Sequence, residues 1–265
     1  MEQWQDQSVV LAARGHGENG AIVSLLTRHH GRQAGYVRGA SSSKNRGTIE
    51  IGNIVDANWR ARTSENLGSV NMELNRSTAA RIMHDPLKLA ALQAACALCD
   101  QALPEREGHE GLYDGFLALL DILEGDVWEE GYVMWEIALL KELGFSLDLT
   151  RCAGGGDDSD LAYVSPKTGR AVSQAVAEPY KDKLLPLPAF LRHGVRQGSD
   201  NDIIDGLGLT RYFFEHWVFA HHNRGLPEAR HRLDLRFDEV FARTDTSDDT
   251  TRNNDELGTP IHVAG

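Results

Sequence analysis

The chain has 265 residues, 41% of them apolar, and a formal net charge of −12 at pH 7. That length suits two domains with real cores, and no stretch approaches the ~20 apolar residues a membrane helix needs. The start, Met1-Glu-Gln-Trp-Gln-Asp, lacks the basic and apolar regions of a signal peptide, and the three cysteines, Cys96, Cys99 and Cys152, do not make a disulfide framework, so the expectation is a cytoplasmic protein with no membrane contact.

In chain order, Ser8-Val-Val-Leu-Ala-Ala reads as a strand and Gly15-His-Gly-Glu-Asn-Gly as a turn. Ala21-Ile-Val-Ser-Leu-Leu-Thr and Gln33-Ala-Gly-Tyr-Val-Arg are two further strands, with a break at Gly31. Gly39-Ala-Ser-Ser-Ser-Lys-Asn-Arg-Gly is small, polar and basic and predicts a flexible loop. Asn53 to Arg62 alternates cleanly. Val55, Ala57, Trp59 and Ala61 face one way, and Asp56, Asn58, Arg60 and Arg62 the other, which is the period of a half-buried strand. Ser69-Val-Asn-Met-Glu-Leu alternates likewise. Five short strands at this spacing predict a small closed barrel, and the five-stranded OB-fold is its common form.

From Asp85-Pro86 the period becomes helical, with Asp and Pro placed as cap and first-turn residues. Leu87, Ala91, Ala94, Ala95 and Leu98 form one apolar stripe, Leu112, Phe116, Leu119, Leu120 and Leu123 a second, and Tyr132, Trp135, Leu139, Leu140 and Leu143 a third that ends at Gly144 as a C-cap. A loop-rich insert spans 148–188, in which Tyr163-Val-Ser-Pro-Lys-Thr-Gly-Arg looks like two short strands around a turn. Helical pattern resumes at Asp202-Ile-Ile and Leu209 to Phe219, with a last helix near Glu228 to Phe241. The segment 244–265 is polar and acidic and predicts a disordered tail. The class is therefore α+β: a five-stranded OB-fold barrel over 1–80, then an all-helical domain over 81–243 carrying the insert.

Several constellations invite a chemical reading. Gly15-His-Gly-Glu-Asn-Gly matches G-x-G-x-x-G after a strand, but a dinucleotide fold also needs a helix opening at the third glycine and a carboxylate about 20 residues on. Neither follows, so Gly15, Gly17 and Gly20 read as a hairpin turn, and a nicotinamide-dependent oxidoreductase is the rival this sets aside. Cys96-Ala-Leu-Cys99 sits inside an alanine-rich helical stripe and reads as packing. His216 and His221 are five apart, off the spacing of a helical metal pair, and His29-His30 at most joins a basic face. Asp157-Asp-Ser-Asp160 lacks the glycine and terminal Glu of an EF-hand and reads as a solvated turn. No nucleophile has an obvious base, so no catalytic residue is assigned and no enzyme is expected.

What remains is charge distribution. Residues 1–80 hold nine basic residues against seven acidic ones, a net of +2 that leaves −14 on the remainder. Between 28 and 62 seven basic residues face only Glu50 and Asp56. Arg60 and Arg62 share a strand face, and Arg38, Lys44 and Arg46 flank the basic loop. A positive groove with basic loops suits a phosphate backbone, and Trp4 or Tyr36 are candidates for base stacking.

The runs Val9-Val-Leu to His16-Gly-Glu, Ile22-Val-Ser-Leu-Leu-Thr-Arg, His30-Gly-Arg and Tyr36-Val-Arg-Gly-Ala resemble the N-terminal domain of the RecO family, bacterial DNA repair and recombination mediators. Glu142-Leu-Gly-Phe-Ser-Leu-Asp-Leu-Thr-Arg-Cys, the Tyr163 to Ser173 segment, Leu184-Leu-Pro-Leu-Pro-Ala-Phe-Leu and Leu209-Thr-Arg-Tyr-Phe-Phe-Glu-His are similar to later parts of the same family. The resemblance spans the chain to about residue 243. It implies an OB-fold followed by a helical domain, binding of single- and double-stranded DNA, and annealing of complementary strands. It also implies two partners, RecR and the acidic C-terminal tail of single-stranded DNA-binding protein, and loading of RecA.

Some members of the family carry a four-cysteine zinc site in the insert. Here only Cys152 stands at that place, and one thiolate does not hold a structural zinc, so the expectation is no metal or other cofactor and an insert held by packing and hydrogen bonds. The candidate DNA-binding residues are Arg14, Arg32, Arg38, Lys44, Arg46, Arg60 and Arg62. The rival from another class is a protein adaptor that uses the barrel as an interaction module.

Overall fold

The structure, a computed structural model, describes residues 1–63, 66–193, 198–220 and 225–255, with side chains as far as residue 241. Strands β1 (Glu2–His16), β2 (Gly20–Thr27) and β3 (Gly31–Val37) form a meander. After the short helix α1 (Ser43–Thr48) come β4 (Ile54–Ala61) and β5 (Gly68–Arg76). The sheet order β1-β2-β3-β5-β4 closes into a barrel, with β1 antiparallel to β4 and β3 parallel to β5 at Gly35–Gly68 and Tyr36–Ser69.

The closure has a local cause. The Trp59 indole lies so close to Gly68 that a Cβ there would fall 2.1 Å from the ring, and its Nε1–H donates to the Ala34 carbonyl at 3.0 Å. One buried ring thus fastens β4, β5 and β3. The alternation over β4 holds as expected: Val55, Ala57, Trp59 and Ala61 are buried, while Asp56 and Arg60 are exposed.

The barrel departs from the expected elements at two places. β1 begins at Glu2 rather than Ser8, because the polar Gln3, Gln5 and Gln7 pair in register with Arg60, Asn58 and Asp56 of β4. The expected flexible loop at 39–47 is a turn leading into α1. Ser42 caps that helix by accepting from the Asn45 N–H, and the Asn45 amide donates to the carbonyls of Arg38 and Gly39. Small polar residues suit loops and N-caps alike, so composition did not separate the two.

The helical body follows: α2 (Thr78–Ile82), α3 (Pro86–Ala102), α4 (Glu110–Leu123) and α5 (Glu129–Glu142). Asp85 caps α3 through the N–H groups of Leu87 and Lys88, as its position before Pro86 predicts. α5 ends in paired bonds from Gly144 to Lys141 and from Phe145 to Leu140, the glycine-terminated cap read from the sequence. The insert is less loop-like than expected. It holds a three-stranded sheet, order β7-β6-β8, from β6 (Leu161–Val164), β7 (Ala171–Ser173) and β8 (Leu185–Pro186), with α6 (Gln174–Ala177) between the last two. Only the first two strands were legible, since β8 pairs through just Leu185 and Pro186. Backbone bonds between Asp148 and Ala171 and from Ala153 to Ala171 tie the insert's entry to this sheet.

α7 (Asp200–Phe213) starts at a reciprocal capping box between Ser199 and Asp202 and runs into a π-helical turn over Phe214–Val218. α8 (Glu228–Asp255) carries the chain into the segment 244–265 expected to be disordered, and residues 256–265 lie outside the described residues. Arg230 on α8 is fully buried. It binds Glu136 of α5 at 2.5 and 3.0 Å, Asp234 one turn on, and the Leu207 carbonyl of α7 at 2.9 Å. Its burial is compensated by this set of partners, which locks three helices together. The barrel has its own core around Trp59, whereas Val9, Leu11, Leu26 and Ile54 pack outward into the larger core of the helices. One side of the barrel is therefore docked and the other is open.

Candidate nucleic-acid interface

The nine barrel cations divide along that line. Arg14, Arg28, Arg32 and Arg76 meet carboxylates of the helical body. Arg76 binds Asp121 at 2.5 Å and Glu124 at 2.7 Å, Arg28 binds Asp114 at 2.8 Å and lies over the Tyr113 ring, and Arg14 reaches Asp100 at 3.4 Å. Arg32 is the most embedded. Its Nε–H donates to the Leu103 carbonyl at 2.8 Å, its guanidinium lies 3.4 Å from Glu105 and 3.8 Å from Asp100, and its side chain is only 18% exposed.

Arg38, Lys44, Arg46, Arg60 and Arg62 are exposed and form no ion pair with a described residue. Of the seven candidates, then, five stand open on the barrel. Arg14 and Arg32 line a separate cleft of about 560 Å³ beside Asp100 and Glu105, where their charge is already answered.

The register across β1, β4 and β5 orders the open face. Gln3, Arg60 and Ser69 form one cross-strand row, Gln5, Asn58 and Asn71 the next, and Gln7, Asp56 and Glu73 the third. A groove of about 750 Å³ is lined by Gln5, Asn58 and Asn71 of these strands and by Arg38, Lys44 and Asn45 from the end of β3 and α1. A smaller hollow of about 400 Å³ lined by Gln3, Trp4 and Arg60 shares Gln5 and Asn58 with it. The two form one polar trough, from Arg60 to Arg38 and Lys44. It is not uniformly basic, because Asp56 and Glu73 also line it. Arg46 and Arg62 lie outside these linings, Arg46 on α1 and Arg62 one residue past β4.

The aromatic candidates are engaged within the protein. Trp4 stacks with His30 at 4.6 Å and with Trp59 at 5.6 Å between ring centroids. Tyr36 lies over Gly20, where a Cβ would sit 2.2 Å from its hydroxyl oxygen, and meets His16 edge-on. His29 and His30 do not extend the basic face. Both hold Asp6 at 3.1 Å, and the His29 N–H donates to the same carboxylate at 2.7 Å. Burial pushes the Asp6 carboxyl up, but these bonds outweigh it and keep it below the ordinary carboxylate value.

The remaining motifs are built into the fold. His16 pairs with Gly20 across the β1–β2 turn, and Gly17 adopts φ +67°, so G-x-G-x-x-G is a hairpin. Cys96 and Cys99 are free and fully buried in α3, and burial pushes both thiols up. Cys152 is free in the insert. Burial raises its thiol, but hydrogen bonds from Ser173 and from the N–H groups of Gly154 and Gly156 outweigh this and bring it down to about 7. Asp157 caps a short turn and Asp158 accepts from the Cys152 N–H. Among the described residues no three His, Cys, Asp or Glu side chains are grouped to hold a metal ion. His216 stacks on Tyr212, and His221 and His222 lie outside the described residues.

Gln5 and Asn71 join this face through strand register, which the sequence alone does not single out. Asn58 stands on the solvent side of β4, as its alternation predicts.

No helix among the described residues is long and apolar enough to cross a membrane. Residues 1–77 match the family model "Recombination protein O N terminal" and residues 83–224 the model "Recombination protein O C terminal". The chain is 51% identical over 237 residues to the DNA repair protein RecO of Rhodospirillum centenum, covering 89% of this chain and 94% of that protein. It is 47% identical to that of Rhodospirillum rubrum (88% and 95% covered) and 48% identical to that of Phenylobacterium zucineum (86% and 94%).

Proposed function

The chain belongs to the recombination protein O family of DNA repair proteins, and on that premise we propose that it binds single-stranded DNA on the open face of its barrel and anneals complementary strands. In the same reading it acts in the cytoplasm with RecR to load RecA onto strands coated by single-stranded DNA-binding protein. The observation that carries this is the sorting of the barrel cations. Five have no carboxylate partner among the described residues, and three of these line one polar trough. Uncommitted guanidinium and ammonium groups are what a phosphate backbone requires, and their contacts release counterions from the strand.

The mechanism needs no bond-making step and therefore no catalytic residue, metal or cofactor. Basic side chains neutralise phosphates on two strands and lower the repulsion between them while the bases stay free to pair. The same cations serve double-stranded DNA. The remainder of the chain, at −14, repels the polyanion and leaves its clefts to protein partners, RecR and the C-terminal tail of single-stranded DNA-binding protein.

Replacing Arg60 and Arg62 with Ala should flatten the log–log salt dependence of oligonucleotide binding by about 1.4, at ~0.7 per phosphate contact. Unchanged slope and affinity would remove these residues from the interface. Absence of salt-dependent binding to bare oligonucleotide would favour the adaptor instead.

A further inference from the structure

Resting on that reading, we infer that the cross-strand row Gln5, Asn58 and Asn71 is a hydrogen-bonding strip for nucleobase edges, which makes the trough prefer a single strand to a duplex.

The row lies between the two groups of cations. With neighbouring strands 4.7–4.9 Å apart, it spans about 10 Å across β1, β4 and β5. One solvent-facing position along β4 stands Arg60, and on the groove wall stand Arg38 and Lys44. In the opposite direction along β4 the next row places Asp56 directly across from Glu73. That carboxylate pair repels phosphate, so a polyanion leaving Arg60 is turned across the amide row toward Arg38 and Lys44.

The three amide side chains make no hydrogen bond to a described residue, and each offers both a donor and an acceptor. Unpaired bases present both along their edges, whereas a duplex keeps its pairing edges engaged. Single-strand sites usually take bases on aromatic faces. Here Trp4, although it reaches the hollow, is already stacked with His30 and Trp59, and Tyr36 lies over Gly20, so the solvent-facing base contacts fall to the amides. Neutral amides release no counterions, and their share of the affinity therefore persists at high salt.

The test uses the full chain with Gln5, Asn58 and Asn71 all replaced by Ala, titrated over a salt series against three ligands of equal length: oligothymidylate, an abasic strand and a duplex. On oligothymidylate the variant should lose roughly tenfold in affinity at every salt concentration, with the slope of the parent protein. On the abasic strand and the duplex it should match the parent. Equal loss on either of those would mean backbone contact and overturn the strip, as would no loss on oligothymidylate. Q5A and N71A, both at exposed positions, keep the test available if the triple variant does not fold, each with a loss of roughly two- to threefold. An unchanged slope in R60A/R62A would bring down the underlying DNA site, whereas a flattened slope there with an idle amide row would bring down the strip alone.

Discussion

The two sides of the barrel carry cations that composition cannot tell apart, and they differ in their partners. On the docked side Arg14, Arg28, Arg32 and Arg76 each meet an acid of the helical body. On the open side Arg38, Lys44, Arg46, Arg60 and Arg62 meet none among the described residues. The +2 and −14 halves of the chain therefore answer each other in part across their own interface. Only the remainder is free to meet a ligand. A charge count overstates a binding face whenever some of the charge is already spent on holding domains together.

Three substitutions probe this contrast, and Arg32 should show the greatest loss. R32A orphans the Leu103 carbonyl and removes the partner of Glu105, so it should lower stability by about 1–3 kcal/mol in chemical denaturation while leaving the salt slope of DNA binding alone. A stable R32A protein with weakened DNA binding would place Arg32 on the open side.

D6N comes next. The Asp6 side chain is 3% exposed and its carboxyl is held below the ordinary value. A depressed pKa stabilises the fold above the unfolded-state value of about 3.8, and that stability is lost as pH falls through the lower folded-state value. D6N should therefore destabilise by about 1–3 kcal/mol at neutral pH, with the gap to the parent narrowing below about pH 4. A gap that does not change with pH would remove the charge from the explanation.

R14A should matter least. Its contact with Asp100 is long and its side chain 67% exposed, so the change in stability should stay within about 1 kcal/mol. A larger loss in thermal or chemical unfolding would mean that Arg14 is as structural as Arg32.

Much of this fold was legible because its signals are local. The alternation of Val55, Ala57, Trp59 and Ala61 names the buried face of β4, and Asp85-Pro86 and Gly144 mark helix ends by backbone chemistry confined to a few residues. The sorting of the cations was not legible, because it depends on contacts distant in sequence. Arg32 finds its carbonyl 71 positions away, at Leu103, and nothing near Arg32 distinguishes it from Arg60. Gln3, Gln5 and Gln7 hid for another reason. Their strand is polar on its open side, and Trp4, the apolar residue between them, offers one step of alternation rather than a run. Nor does the sequence show that His29 and His30 share Asp6, a partner more than 20 positions away.

On this reading the open cations, and not the docked ones, bind the strand. The salt dependence of oligonucleotide binding in two multiple variants separates the two sets. With Arg38, Lys44, Arg46, Arg60 and Arg62 replaced by Ala, the slope should fall by about 3.5, at ~0.7 per contact. With Arg14, Arg28 and Arg76 replaced instead, it should stay at the parent value. Equal flattening in both, or flattening only in the second, would place the docked cations on the strand.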